Sequence, residues 1–246
     1  MKIIFLGTNG WFNTKTANTV CSLIETDKFY LILDAGGGLY KIENFIKKEK
    51  PIYLFLSHYH LDHIEGLHIL ARFKFPQGLE IYGPVGLEKM FSQVIARPYS
   101  APLDSLFTSV RLHELGHGEP PSFVVKCLKL QHSVPCYGYR FFLDGKIISY
   151  TTDTGPCRNL LVLEDRAALA ICECSFLSGM RPDSWGHLTP EEAARAGLKA
   201  RVKKLALIHF DAALYRTLAE RKRAEKKARE IFKDTFAAED DFRISL

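Results

Sequence analysis

Short apolar runs rich in β-branched and aromatic residues recur along the chain, separated by segments whose apolar positions fall at helical spacing. In the first half this pattern predicts strands over 2–6, 20–25, 29–34, 52–56 and 79–82, and helices over 39–48, 64–73 and 86–97. From Phe107 onward the chain becomes β-rich, with strands predicted over 108–115, 122–130, 137–143 and 146–151. Asp144-Gly145 marks a tight hairpin between the last two. A short helix over 157–164 leads to a strand over 168–172. Thr189-Pro190-Glu191-Glu192 then opens a helix: threonine caps it, proline suits its first position and the acids favour its first turn. A strand over 205–208, a long helix over 213–235 and a final strand over 241–245 complete the pattern.

Strand-rich blocks, each closed by helices, predict an α/β fold of two sheets packed face to face with helices outside. No internal repeat, low-complexity tract or linker interrupts the 246 residues, so the expectation is one domain over 1–246. An apolar fraction of 47% and a charged fraction of 25% describe an ordinary globular chain. No segment reaches the ~20 apolar residues of a membrane span. The start, Met1-Lys2-Ile3-Ile4-Phe5-Leu6-Gly7-Thr8, is too short in its apolar core for a signal peptide and reads as a first strand. A cytoplasmic protein is therefore expected. Its six cysteines form no Cys-x-x-Cys pair and fall mostly in apolar segments, as small buried thiols do. The net charge of +5 is concentrated in Arg216 to Lys233, where eight basic residues meet three glutamates. Leu214, Leu218, Ile231 and Phe232 give that stretch an apolar face, which predicts a solvated amphipathic helix; a grip on RNA phosphates is the competing reading.

The chemistry concentrates in Ser57-His58-Tyr59-His60-Leu61-Asp62-His63, directly after an apolar strand. Three of the chain's nine histidines and a carboxylate fall within six positions, the donor types that zinc, iron or manganese accept. His58 and His60 alternate, so both imidazoles share one side of an extended chain. Asp153 and His209 also follow apolar strands, positions from which a rigid scaffold can aim ligands. His113-Glu114-Leu115-Gly116-His117 matches a zinc-protease pattern that works only on a helix. The strand-like lead-in and the following Gly116, Gly118, Pro120 and Pro121 exclude a helix there. His68 is expected to be an ordinary surface or packed histidine.

His58-x-His60-x-Asp62-His63 resembles the signature of the metallo-β-lactamase superfamily, and the flanking segments resemble its ribonuclease Z-like phosphodiesterase branch. Phe5-Leu6-Gly7-Thr8, Asp34-Ala35-Gly36, Gln131-His132-Ser133-Val134-Pro135, Thr152-Asp153-Thr154, Glu173-Cys174-Ser175-Phe176, Gly186-His187-Leu188-Thr189 and Leu207-Ile208-His209-Phe210 each resemble a motif of that branch, in order. The resemblance implies an αββα four-layer sandwich with a metal site at one edge of the two packed sheets. It implies two divalent ions, zinc first and manganese or iron as alternatives. His58, His60 and His132 would hold one ion, Asp62, His63 and His209 the other, and Asp153 would bridge. A hydroxide between ions ~3.5–4 Å apart would be the nucleophile. Asp62 would double as a proton acceptor, and Glu173 with His187 would form a proton relay outside the ligand set.

Ribonuclease Z enzymes usually carry an arm between the third metal histidine and the bridging aspartate. The interval from His132 to Asp153 is filled by one predicted hairpin, which leaves no room for it. Ala17 stands where a basic residue is usual, and Asp211 where serine is. The expectation is therefore a hydrolase of a small, cyclic or nucleotide-like phosphodiester. Transfer-RNA 3′-end cleavage, with RNA as partner, is the runner-up, and thioester or lactone hydrolysis the third reading. A homodimer fits the branch, but no residue in the sequence demands one.

Overall fold

Apolar side chains at nearly every position of the central strands require sheets covered on both faces. A computed structural model describes residues 1–180 and 185–246, and these form two compact units. The first comprises Met1–Gly7, Thr19–Pro120 and Asp241–Leu246. Its seven-stranded sheet runs in the order Arg243–Ser245, Lys2–Gly7, Cys21–Glu25, Tyr30–Leu33, Ile52–Phe55, Leu79–Gly83 and Val110–Glu114. The last four are mutually parallel, with Leu33 opposite Phe55, so Asp34 and Ser57 leave the sheet at adjacent carboxyl ends. Leu39 and Ile42, Leu67 and Leu70, and Leu87 and Phe91 pack from three helical segments onto Ile4, Leu23, Ile32 and Leu54.

The second unit comprises Thr8–Asn18 and Pro121–Asp240. Its six-stranded sheet runs in the order Thr235–Ala237, Leu205–Ile208, Leu169–Glu173, Lys146–Thr151, Tyr137–Leu143 and Val124–Lys129. The first four are parallel, with Thr151 opposite Cys172 and Glu173 opposite Ile208. Asp153, Glu173 and His209 therefore emerge side by side at the carboxyl end of three adjacent parallel strands, where open α/β sheets place ligands. Helices Arg158–Glu164, Pro190–Lys199 and Leu218–Arg229 supply Leu160, Leu163, Ala193, Ala194, Ala224 and Ala228 to the core. A two-stranded ribbon pairs Asn9–Gly10 with Phe210–Asp211.

Most predicted elements are present, and three differ. The helix predicted over 64–73 is a single α-turn, Leu61–Ile64, continued as a 3₁₀ helix, Glu65–Arg72. The one predicted over 39–48 is also 3₁₀, Gly37–Asn44. The long helix over 213–235 is confined to Leu218–Arg229, because Thr217 caps it in a box with Glu220 and Thr235–Ala237 is recruited as a strand. Among the described residues no helix is long and apolar enough to cross a membrane.

Glu164 closes its helix fully buried, where burial pushes its carboxyl from 4.5 up to about 7 against hydrogen bonds from Thr151 and Cys172. The folded protein then holds this proton more tightly than the unfolded chain. Its contribution is most favourable below pH 4.5 and is lost as pH rises through about 7. Chemical denaturation of Glu164→Gln at pH 5 and pH 8 is expected to show a pH-dependent loss smaller than the native protein's by on the order of 3 kcal/mol.

Candidate metal centre

In the first unit Ser57 lies just beyond the strand Ile52–Phe55; its N–H donates to Asp34 Oδ1 at 2.7 Å and its Oγ donates to Asp34 Oδ2 at 2.8 Å. Asp34 is buried and holds a left-handed backbone, φ 54°. His63 Nδ1 lies 2.8 Å from Asp34 Oδ2. The carboxylate can only accept there, so Nδ1 carries the proton and Nε2 presents a lone pair. His58 is oriented by Ser57 Oγ, 3.0 Å from its Nδ1. The His58 ring stands 4.5 Å from that of His60 and 4.1 Å from that of His63, and Asp62 Oδ2 is 3.7 Å from His63 Nε2. Like-typed donors crowded at these distances are what a cation organises.

In the second unit Asp153 holds φ 55° and His209 φ 54°, left-handed conformations at both strand ends. Sparsely populated backbone of this kind gathers at functional sites. His209 Nε2 lies 3.1 Å from Asp153 Oδ1, and His132 Nε2 lies 3.7 Å from Asp153 Oδ2. Ser175 Oγ sits 2.8 Å from His209 Nδ1 and donates to the His209 carbonyl at 2.8 Å, fixing ring and backbone together. Burial pushes the His132 imidazole below its usual value, favouring the neutral form that a metal needs, although the Asp153 charge opposes the shift.

Glu173 is fully buried and accepts from the N–H groups of Thr154 at 2.6 Å, Ser175 at 3.1 Å and Leu188 at 3.3 Å. Its Oε1 also lies 2.9 Å from His187 Nδ1. That contact leaves Nε2 as the outward nitrogen of His187. Asp153, His187 and His209 each offer a donor atom within 4.8 Å of the others. His187 therefore sits at a cluster that could hold a metal as well as in the proposed relay.

Several residues that position the ligands have no role assigned from the sequence. Asp34 and Ser175, which lie within quoted motifs, hold histidines, as described. Arg221, buried on the helix Leu218–Arg229, donates to Thr8 Oγ1 at 2.8 Å and to Asn9 Oδ1, and its guanidinium lies 4.9 Å from the Phe210 ring centre. It thereby secures the ribbon that His209 directly precedes: Gly10 lies so close that a Cβ there would stand 2.5 Å from His209 Cε1. Burial pushes the Arg221 guanidinium down to about 10, still charged at neutral pH. Arg221→Met is expected to lower stability by about 3 kcal/mol in denaturant titrations and to weaken metal binding about tenfold in chelator competition. The decoy His113 and Glu114 lie on the strand Val110–Glu114, with His113 Nε2 2.6 Å from Glu80 and His117 exposed beyond the turn.

The family model "Beta-lactamase superfamily domain" matches residues 31–210, a span containing every proposed metal ligand. The chain belongs to that superfamily and is a metal-dependent hydrolase. Among curated relatives, "Ribonuclease Z" of Bacillus licheniformis is 27% identical over 308 aligned positions, covering 98% of this chain and 97% of that one. Among solved structures, the metallo-beta-lactamase fold protein YhfI from Bacillus subtilis superposes with a TM-score of 0.80 at 24% identity, covering 99% of this chain and 98% of its own. The short form of human tRNase Z gives 0.79 at 23% identity, covering 100% and 99%. The fold is the expected metallo-β-lactamase fold of the α/β class.

Proposed function

We propose that this chain is a dinuclear phosphodiesterase acting on a small, cyclic or nucleotide-like phosphodiester. The carrying observation is the Glu173–His187 pair placed at Asp153 and His209. In this proposal His58, His60 and His132 would hold one divalent ion, Asp62, His63 and His209 would hold the other, and Asp153 would serve both. The donor set suits zinc, with manganese or iron as substitutes. Ions bound there would make water available as a nucleophile near neutral pH and would offset charge on phosphoryl oxygens. His187, held at Nδ1, has Nε2 to protonate the departing alkoxide, and Asp62 accepts the proton of the attacking water. A thioester leaves as a stable thiolate and has no need of that donor, which favours the phosphodiester. Turnover of bis(p-nitrophenyl) phosphate with added Zn²⁺ or Mn²⁺ tests this reading; turnover of thioesters alone overturns it.

The second reading is transfer-RNA 3′-end endonuclease activity. It is favoured by the near end-to-end match to a relative named Ribonuclease Z. Two observations favour the smaller substrate. The 308-position alignment shows that the relative has segments this 246-residue chain lacks. On the basic helix Lys222, Arg223, Lys227 and Arg229 are each ion-paired to glutamate, leaving less charge for an RNA backbone. Cleavage of a precursor transfer RNA at its 3′ junction, falling steeply with salt, would put this reading first.

A further inference from the structure

Tryptophan is normally well buried on average, because its ring is among the largest apolar groups a chain can remove from water. This chain has two tryptophans, and both are exposed: Trp11 at 67% and Trp185 at 54%. Each adjoins a glycine packed against a histidine of the candidate centre. Gly10 faces the His209 ring, and a Cβ on Gly186 would meet the Gln131 carbonyl and lie 3.3 Å from His132 Cα. Ser133 N–H also donates to the Trp185 carbonyl at 3.1 Å, tying that residue to the His132 segment.

The Trp11 loop is held in place. Asn9 Nδ2 donates to the carbonyls of Phe12 at 3.0 Å and Ala17 at 2.9 Å, while its Oδ1 takes the Arg221 guanidinium. Trp11 has φ 72°, an uncommon backbone for a bulky residue, and its ring meets Phe12 edge-on at 5.3 Å. The structure thus leaves this residue largely exposed, one position after the glycine that packs against His209. Cations lie on the same loop and its anchor: Lys15 is exposed, and Thr16 Oγ1 donates at 2.8 Å to the carbonyl of the exposed Arg216. Exposed aromatic rings with basic side chains nearby are a combination that holds bases by stacking and phosphates by charge.

We propose that Trp11 and Trp185 are stacking contacts for a nucleobase, so that the ester this chain hydrolyses carries a nucleoside. The proposal rests on the phosphodiesterase reading above and specifies its substrate. Two single-tryptophan variants report the sites separately: Trp185→Phe leaves the Trp11 emission, and Trp11→Phe leaves that of Trp185. On zinc-loaded protein, thymidine 5′-monophosphate is expected to quench both saturably, while methyl phosphate quenches neither. Trp11→Ala is expected to raise KM for thymidine 5′-(p-nitrophenyl phosphate) about tenfold more than for ethyl p-nitrophenyl phosphate. Trp11→Phe, which keeps a ring, should recover most of that loss.

Absence of nucleotide quenching, or equal effects of Trp11→Ala on the two diesters, overturns the proposal. So does emission that shifts with protein concentration and not with nucleotide, which would assign the tryptophans to a contact between copies. Saturable quenching in a protein that hydrolyses neither diester would sink the phosphodiesterase reading while leaving the base contacts standing.

Discussion

Asp153→Asn is expected to leave the protein folded, to reduce bound metal from two ions to one or fewer, and to lower phosphodiester turnover at least about a thousandfold. Asparagine tolerates the left-handed backbone that Asp153 adopts, so the substitution isolates the carboxylate charge from the turn geometry. That charge faces His209 Nε2 at 3.1 Å and His132 Nε2 at 3.7 Å. A neutral amide cannot balance the cations proposed there, and the several kcal/mol they contribute at the phosphoryl oxygens corresponds to about three decades in rate. Metal analysis, kcat and an unfolding curve on the same preparation check the three parts. Full metal content with native turnover would remove Asp153 from the centre.

The second large effect is expected at His187. His187→Ala should retain both ions and lose about a hundredfold to ten-thousandfold in kcat on a dinucleotide whose leaving group is an alkoxide. The loss should be much smaller on bis(p-nitrophenyl) phosphate, whose phenolate departs without a proton. Glu173→Gln keeps a hydrogen-bond acceptor for His187 Nδ1 but loses the charge, so an intermediate loss with the same leaving-group dependence is expected. His187 offers a donor atom to the same cluster as Asp153 and His209, which makes the metal assay decisive. Loss of an ion in His187→Ala would make this residue a ligand and end its role as proton donor.

The parts of the site legible in the sequence are those with a local signature. Asp153 and His209 follow continuous apolar runs, and parallel strand pairing then brings their ends together. The hairpin joining Tyr137–Leu143 to Lys146–Thr151 was announced by Asp144-Gly145, which adopt φ 46° and 77° as a tight primed turn requires. The strand Thr235–Ala237 was hidden because charged residues continue at helical spacing to Lys233 without a glycine or proline to stop the pattern. Only pairing with Leu205–Leu207, some thirty residues earlier, makes it a strand. The Glu65–Arg72 segment kept its apolar spacing but tightened to 3₁₀ geometry, since Gly66 must pass against the carbonyls of Ala35 and Gly36.

Positioning residues were harder to see for a related reason. Arg221 lies within a run of basic residues that reads as a solvated helix face, yet it is buried while its neighbours pair with glutamates at the surface. Its partners Thr8 and Asn9 lie more than two hundred positions away, so no local pattern distinguishes it. Asp34 stood within the quoted Asp34-Ala35-Gly36, but its role depends on the parallel neighbour that delivers Ser57 and His63.

Two ions are proposed to act together in one phosphodiesterase site. Stepwise addition of Zn²⁺ to metal-stripped protein, with turnover of bis(p-nitrophenyl) phosphate followed at each point, is the test. Activity is predicted to stay near background through the first equivalent and to rise to its plateau as the second binds. A plateau reached at one equivalent, or no turnover at two, would rule out a two-ion phosphodiesterase site.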